Sequence, residues 1–153
     1  MTLNINPDPK SILKSAKNIL LVDWPDPGVP RALLKAGFAV FGYSPGGYSR
    51  AQLVTELPDG FTGKNSFPPR NSGERGYLIF QKLDHGPVGI NIVNVYRPEE
   101  ELPGIITNIV LPVGAKVLWL HPPGTSARAR EIAAEKSIVF IEGADIAEIA
   151  GEI

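Results

Sequence analysis

The residues of this chain that offer chemistry are arginines and glycine- or proline-rich turns, placed at the ends of apolar runs. Arg31, Arg50 and Arg97 are candidates to supply positive charge to a phosphate. Asp23, Trp24, Pro25 and Gly28 follow the first apolar run, where Trp24 offers a face on which a flat base can stack. Ser44, Pro45, Gly46, Gly47 and Tyr48 close the second run, and the free N–H groups of such a turn can hold a phosphate or a sugar. Asn94 lies within the third run, which Tyr96, Arg97 and Pro98 close. His121, Pro122, Gly124 and Thr125 follow the fourth, and N–H groups at the helix start beside Thr125 and Ser126 can hold an anion. Each group also has a plainer explanation. Trp24 can plug the end of a sheet, Pro45-Gly46-Gly47 can be a simple turn, Arg97 can pair with Glu99, Glu100 or Glu101, Asn94 can bond to a neighbouring loop, and Thr125 can cap its helix.

Catalysis has less support. His121 has no evident carboxylate or nucleophile beside it in sequence, and His85 sits in a turn. No cysteine is present, which excludes thiolate chemistry, disulfides and Cys-ligated metals. Two isolated histidines do not suggest a transition-metal site. No catalytic residue is assigned, and the expectation is a binding module without catalytic activity of its own.

The elements that must position these residues read as alternating strands and helices. Ile19-Leu20-Leu21-Val22 is apolar throughout, as in a parallel strand buried on both faces. The helix expected over 29–36 has Pro30 in its first turn and Gly37 after its end. Phe38-Ala39-Val40-Phe41 makes a second strand, Ile90 to Tyr96 a third, Lys116 to Leu120 a fourth and Ile138 to Ile141 a fifth. Helices are expected over 9–16, 102–111, 126–136 and 144–150, with a further short one over 49–57. In the 102–111 helix Leu102, Ile105, Ile106, Ile109 and Val110 form one apolar stripe. Tyr77-Leu78-Ile79-Phe80 reads as an extra edge strand. Residues 58–76 have no periodicity and read as an irregular loop, in which Lys64, Arg70 and Arg75 suggest either a basic flap or a mobile surface loop. The expected fold is α/β, a Rossmann-like doubly wound open parallel sheet of about five strands in a three-layer α/β/α arrangement, as a single domain over 1–153.

Composition limits the partners. The formal net charge is −1, which argues against nucleic acid and anionic membrane surfaces. Hydrophobic residues make up 43% and charged residues 20%, the proportions of an ordinary soluble domain. The N-terminus lacks a signal-peptide plan and no apolar run is long enough to span a membrane, so a cytoplasmic location is expected. An NAD site of the usual kind predicts Gly-x-Gly-x-x-Gly after strand one and an acid at the end of strand two; neither is present, which makes NAD an unfavoured cofactor. Gly60-Phe61-Thr62-Gly63-Lys64 resembles a phosphate loop but lies after strand two, and coincidence is the reading taken.

A family resemblance runs through several of these elements. Ile12-Leu13-Lys14-Ser15-Ala16-Lys17 leading into Ile19-Leu20-Leu21-Val22, then Val93-Asn94-Val95-Tyr96-Arg97-Pro98, Leu102-Pro103 and Gly114-Ala115-Lys116-Val117-Leu118-Trp119-Leu120, resemble small bacterial CoA-binding domain proteins. That family shares its fold with the N-terminal domain of the succinyl-CoA synthetase α subunit. The resemblance covers the chain except about 49–83. It implies CoA or acyl-CoA as cofactor and a small-molecule nucleotide ligand at the carboxyl ends of the strands; the residues themselves give no reason to expect a metal. It leaves open a homodimer or a partner protein. One departure stands out: the family carries Gly-x-Ser after strand one, and Asp23 stands at the glycine position here, where a carboxylate would repel a phosphate. The alternative is a regulatory or protein-interaction domain whose ancestral CoA site has decayed.

Overall fold

The computed structural model describes residues 8–61, 66–70 and 74–153. A short helix α1 (Pro9–Lys14), capped by Asp8, precedes β1 (Asn18–Val22), α2 (Gly28–Lys35) and β2 (Ala39–Ser44). Then come three strands, β3 (Gly47–Val54), β4 (Ser66–Phe67) and β5 (Tyr77–Lys82). The alternating pattern resumes with β6 (Ile92–Val95) and a 3₁₀ turn (Glu99–Glu101). Helix α3 (Leu102–Ile105) continues as a π-helical turn (Ile106–Val110) and leads to β7 (Val117–Leu120). The chain closes with α4 (Ala127–Glu135), β8 (Val139–Ile141) and α5 (Ile146–Gly151).

Among the described residues, eight strands form one sheet in the order β4-β5-β3-β2-β1-β6-β7-β8. The five strands β2-β1-β6-β7-β8 run parallel, as the apolar runs imply. Neighbouring residues of β1 explain why its run is unbroken. Leu20 and Val22 enter a core with α3 and α4, whereas Ile19 and Leu21 enter one with α1, α2 and α5. Helices thus cover both faces, and β1 must be apolar from Ile19 to Val22. Trp119 of β7 is fully buried in the second core, where its indole N–H donates to the Ala144 carbonyl at 2.8 Å. That bond is needed to bury an indole without an unmet donor. Gly37 terminates α2 at φ +100°, a left-handed conformation that suits a residue without Cβ.

The region after β2 departs from expectation. Residues 49–57 form no helix: the chain turns at Pro45-Gly46 and returns as β3, antiparallel to β2, with Phe41 opposite Arg50. The two-residue turn delivers the chain directly into pairing with β2, and only Ala51 of β3 is buried. Tyr77 to Lys82 is a strand as expected but not the edge. It pairs with β3 on one side and with β4 on the other, so part of the 58–76 segment is itself sheet. Lys64, Gly63 and Gly73 of that segment, and most of the Gly60-to-Lys64 motif, lie outside the described residues. The sheet is therefore a five-stranded parallel half extended by three antiparallel strands. At the other end, Ser126 rather than Thr125 caps α4, its hydroxyl accepting from Ala129 N–H at 3.0 Å.

Candidate functional site

β1 leads to α2 on one face and β6 leads to α3 on the other, so the strand order reverses between β1 and β6. That reversal leaves a crevice at the carboxyl ends, the usual place for a ligand in an open α/β sheet. A cleft of about 640 Å³ lies there, bounded by the ends of β1 and β2, the β6 exit and the exposed side of α3. Asp23, Trp24, Ser44, Pro45 and Arg97 line it, all among the residues singled out in the sequence.

Asp23, which the sequence resemblance aligns with a glycine, adopts a left-handed backbone conformation with φ +66°. A non-glycine residue in this region carries strain, which Asp tolerates better than most because its short side chain bonds locally. Here Oδ1 accepts from Trp24 N–H at 2.9 Å, and Oδ2 lies 3.1 Å from Arg97 Nη1. Arg97 also grips Glu101 with two bonds, Nε at 3.0 Å and Nη2 at 2.8 Å. The Glu101 carboxylate, and after it Asp23, raises the Arg97 pKa further above its ordinary value, and Arg97 in turn lowers that of Glu101. These side chains are each at least 40% exposed, so the pairs contribute little to stability. Their effect is on charge: Arg97 faces Asp23 and Glu101, with Glu100 also in the cleft wall, and brings no surplus positive charge.

The start of α2 is neutralised in the same way. Asp26 Oδ1 accepts from Gly28 N–H at 2.7 Å, so a carboxylate already occupies the end of the helix that faces anions elsewhere in such folds. Gly28 is required for this, since a Cβ there would stand 2.6 Å from Asp26 Oδ1. Pro25 is exposed in the loop between.

The other two arginines serve different ends. Arg31 is buried, and its guanidinium donates to the carbonyls of Phe67 at 2.8 Å and Gly76 at 3.3 Å while standing 3.5 Å from Glu74. It clamps the antiparallel extension to α2 rather than facing the cleft. Arg70 completes that clamp, bonding Glu74 at 2.7 Å and Asp26 at 3.3 Å, and its hydrogen bonds hold the Glu74 carboxyl down to about 2. Arg50 lies over the Phe41 ring at 5.4 Å on β3.

Trp24 spends one face on Phe80, with ring centroids 4.8 Å apart and planes 12° from parallel. Gly46 and Gly47 belong to the hairpin turn, and Tyr48 packs edge-on against Tyr43 at 5.2 Å, where burial pushes its phenol pKa up. Tyr96 is half exposed and edge-on to His121 at 5.5 Å. Pro98 precedes the 3₁₀ turn. His121, Pro122, Gly124 and Thr125 form a tight β7 exit away from the cleft, closed by Gly124 N–H donating to the His121 carbonyl at 3.2 Å. A Cβ on Gly124 would meet that same oxygen at 3.2 Å. Sequence reasoning did not single out Tyr43, Gly104 and Asn108 as cleft residues. The spacing of Gly104 and Asn108, four apart and off the apolar stripe of α3, was the available signal. Among the described residues no cluster of three His, Asp or Glu side chains could hold a metal ion, and no helix is long and apolar enough to cross a membrane.

Asn94 lies on β6 between Leu21 and Trp119, fully buried, with neither amide atom hydrogen-bonded. An unpartnered buried amide is costly. Asn94→Val, apolar, suited to a strand and within about one methylene of Asn in volume, is therefore expected to raise stability by about 1–3 kcal/mol in urea denaturation. A loss of stability would mean that the amide is satisfied by buried water.

A model of the CoA binding domain family matches residues 67–146, just over half of the chain, beginning in the extension and ending at the first residue of α5. No curated protein matches. Among solved structures, Prb, a PH1109 protein redesigned for binding, superposes with a TM-score of 0.62 at 17% identity, covering 94% of this chain and 88% of that one. The cell-free ID.343 protein of Thermus thermophilus has a TM-score of 0.58 at 19% identity, covering 94% of each chain. A hypothetical protein of Pyrococcus horikoshii OT3 has 0.55 at 15% identity, covering 99% of this chain and 98% of its own. At these identities the likeness is one of fold.

Proposed function

The chain belongs to the CoA binding domain family, and from that premise we propose that it binds CoA, acyl-CoA or a related nucleotide, without catalysis of its own, in the cleft at the carboxyl ends of β1, β2 and β6. The observation that carries this reading is the place of the cleft. Its 640 Å³ open at the reversal of strand order, where the chain ends of three parallel strands converge on one arginine. In this reading Arg97 meets the ligand's phosphate once it leaves Asp23 and Glu101. Ser44 offers its hydroxyl to the sugar.

One feature favours a second reading, a protein-interaction or regulatory domain with a decayed nucleotide site. Asp23 and Asp26 place their own carboxylates on the N–H groups of Trp24 and Gly28, the donors a phosphate would otherwise use. Thermal unfolding with CoA, acetyl-CoA and ADP separates the two. A ligand at 100 times its Kd adds about 2.7 kcal/mol to stability, a clear rise in Tm. No shift at millimolar CoA would reject the first reading and direct attention to a protein partner.

A further inference from the structure

We propose that a second pocket, on the antiparallel extension, binds a planar aromatic ring that carries an anionic group. This inference does not depend on CoA occupying the cleft: the pocket lies across Trp24 from it, walled mainly by the β2–β3 hairpin with Phe80 and Lys82 of β5 and Phe67 of β4, and has Trp24, Tyr43 and Ser44 in common with the cleft.

The register places the pocket. Gly42 pairs with Ser49 and Ser49 with Lys82, so these three residues form one row on one face of β2, β3 and β5. Ala51 and Phe80 form the adjacent row on that face. A cavity of about 380 Å³ stands over these rows, with Trp24 and Phe67 contributing to its wall. The ring system is already organised: Trp24 stacks on Phe80, and Phe67 meets Phe80 edge-on at 6.1 Å and 86°. Gly42 is what admits the Phe80 ring, because a Cβ there would stand 3.3 Å from it and 3.1 Å from Ser49 Oγ. A pre-assembled aromatic wall of this kind suits a flat ring, which gains from offset or edge contact at little entropic cost.

The charge at the rim indicates the rest of the ligand. Lys82 is exposed and extends past the hairpin, its Cε 4.0 Å from where a Gly47 Cβ would stand. Among the described residues it has no carboxylate within ion-pair distance, whereas Arg31, Arg70 and Arg97 are all engaged by carboxylates. An unpaired ammonium beside an apolar wall offers a charge-assisted bond to a phosphate or carboxylate. The volume fits one ring system with its anionic substituent. Two sources share that chemistry, the base and phosphate of a nucleotide and a free aromatic acid.

Trp24 supplies the readout, since the other tryptophan, Trp119, is fully buried. Adenosine 3′,5′-bisphosphate and phenylacetate are titrated separately while tryptophan fluorescence is followed, with wild type, Lys82→Glu and Arg97→Ala. The expected result is saturable quenching by at least one probe, weakened about tenfold or more by Lys82→Glu, the loss of one charge-assisted contact. Arg97→Ala should leave that binding unchanged. Quenching by the bisphosphate alone assigns the pocket to a nucleotide, and by phenylacetate alone to an aromatic acid. Absence of quenching by both up to roughly 10 mM, a threshold affinity too weak for a built site, would overturn the proposal. So would binding indifferent to Lys82→Glu, or binding lost with Arg97→Ala, which would belong to the cleft.

Discussion

Asp23→Gly should tighten CoA binding by about ten- to a hundredfold. Asp23 stands at the end of β1 with its carboxylate on Arg97, so an incoming phosphate meets a negative charge and must also take the guanidinium from it. At a separation of about 6 Å the repulsion between two unit charges is roughly 1–3 kcal/mol for effective dielectrics between those of water and a protein surface, and each 1.4 kcal/mol is a factor of about ten in affinity. Glycine is at ease at φ +66°, so the backbone of the loop is retained while the carboxylate is removed. Stability should change little, because the lost pair is exposed. Asp23→Asn separates charge from backbone: it also tolerates the left-handed region and should recover most of the gain. Calorimetric titration at two salt concentrations reads both variants, and the difference from wild type should narrow at high salt. If neither variant binds CoA more tightly, the phosphate does not sit in this cleft.

The second large effect concerns stability. Arg31→Ala should destabilise the protein by about 3 kcal/mol, as expected when a buried charge-assisted network loses its central partner. The substitution leaves the carbonyls of Phe67 and Gly76 without their donor and takes a cationic neighbour from Glu74, across the join between α2 and the extension. Arg31→Lys should not restore the loss, since one ammonium cannot reproduce a planar fork that reaches carbonyls on two segments. Urea denaturation gives the magnitude, and hydrogen exchange should show β4 and β5 losing protection before the parallel strands. The CoA affinity of the folded fraction should be unaffected. Full stability with weakened CoA binding would instead make Arg31 a ligand residue and would move the site away from the cleft.

Arg31 and Arg97 illustrate how much of the site was legible in advance. Both follow the expected pattern of a cation near a strand end, and the sequence treats them alike. Their fates differ because of residues far away in the chain: Phe67 and Gly76 for one, Asp23 for the other. The unusual Asp23 was visible as a departure from the family's glycine. Its left-handed backbone and its bond to a guanidinium 74 positions away were not.

The sequence by itself determined the parallel half of this protein. β7 and, from Ile19 onward, β1 are buried on both faces, so those positions must be apolar, and the helices between them carry a single stripe; both patterns are local and survive without knowledge of any partner. Tertiary structure alone decided the extension. In 49–57 the apolar residues fit a helix or a strand equally well, and the choice came from pairing with β2 through a tight turn and with β5, more than twenty residues further on. The same long-range pairing places Phe80 under Trp24 and Lys82 beside the hairpin. Burial of an element is encoded within that element, whereas the identity of its partner is a property of contacts that form only when the whole chain has closed.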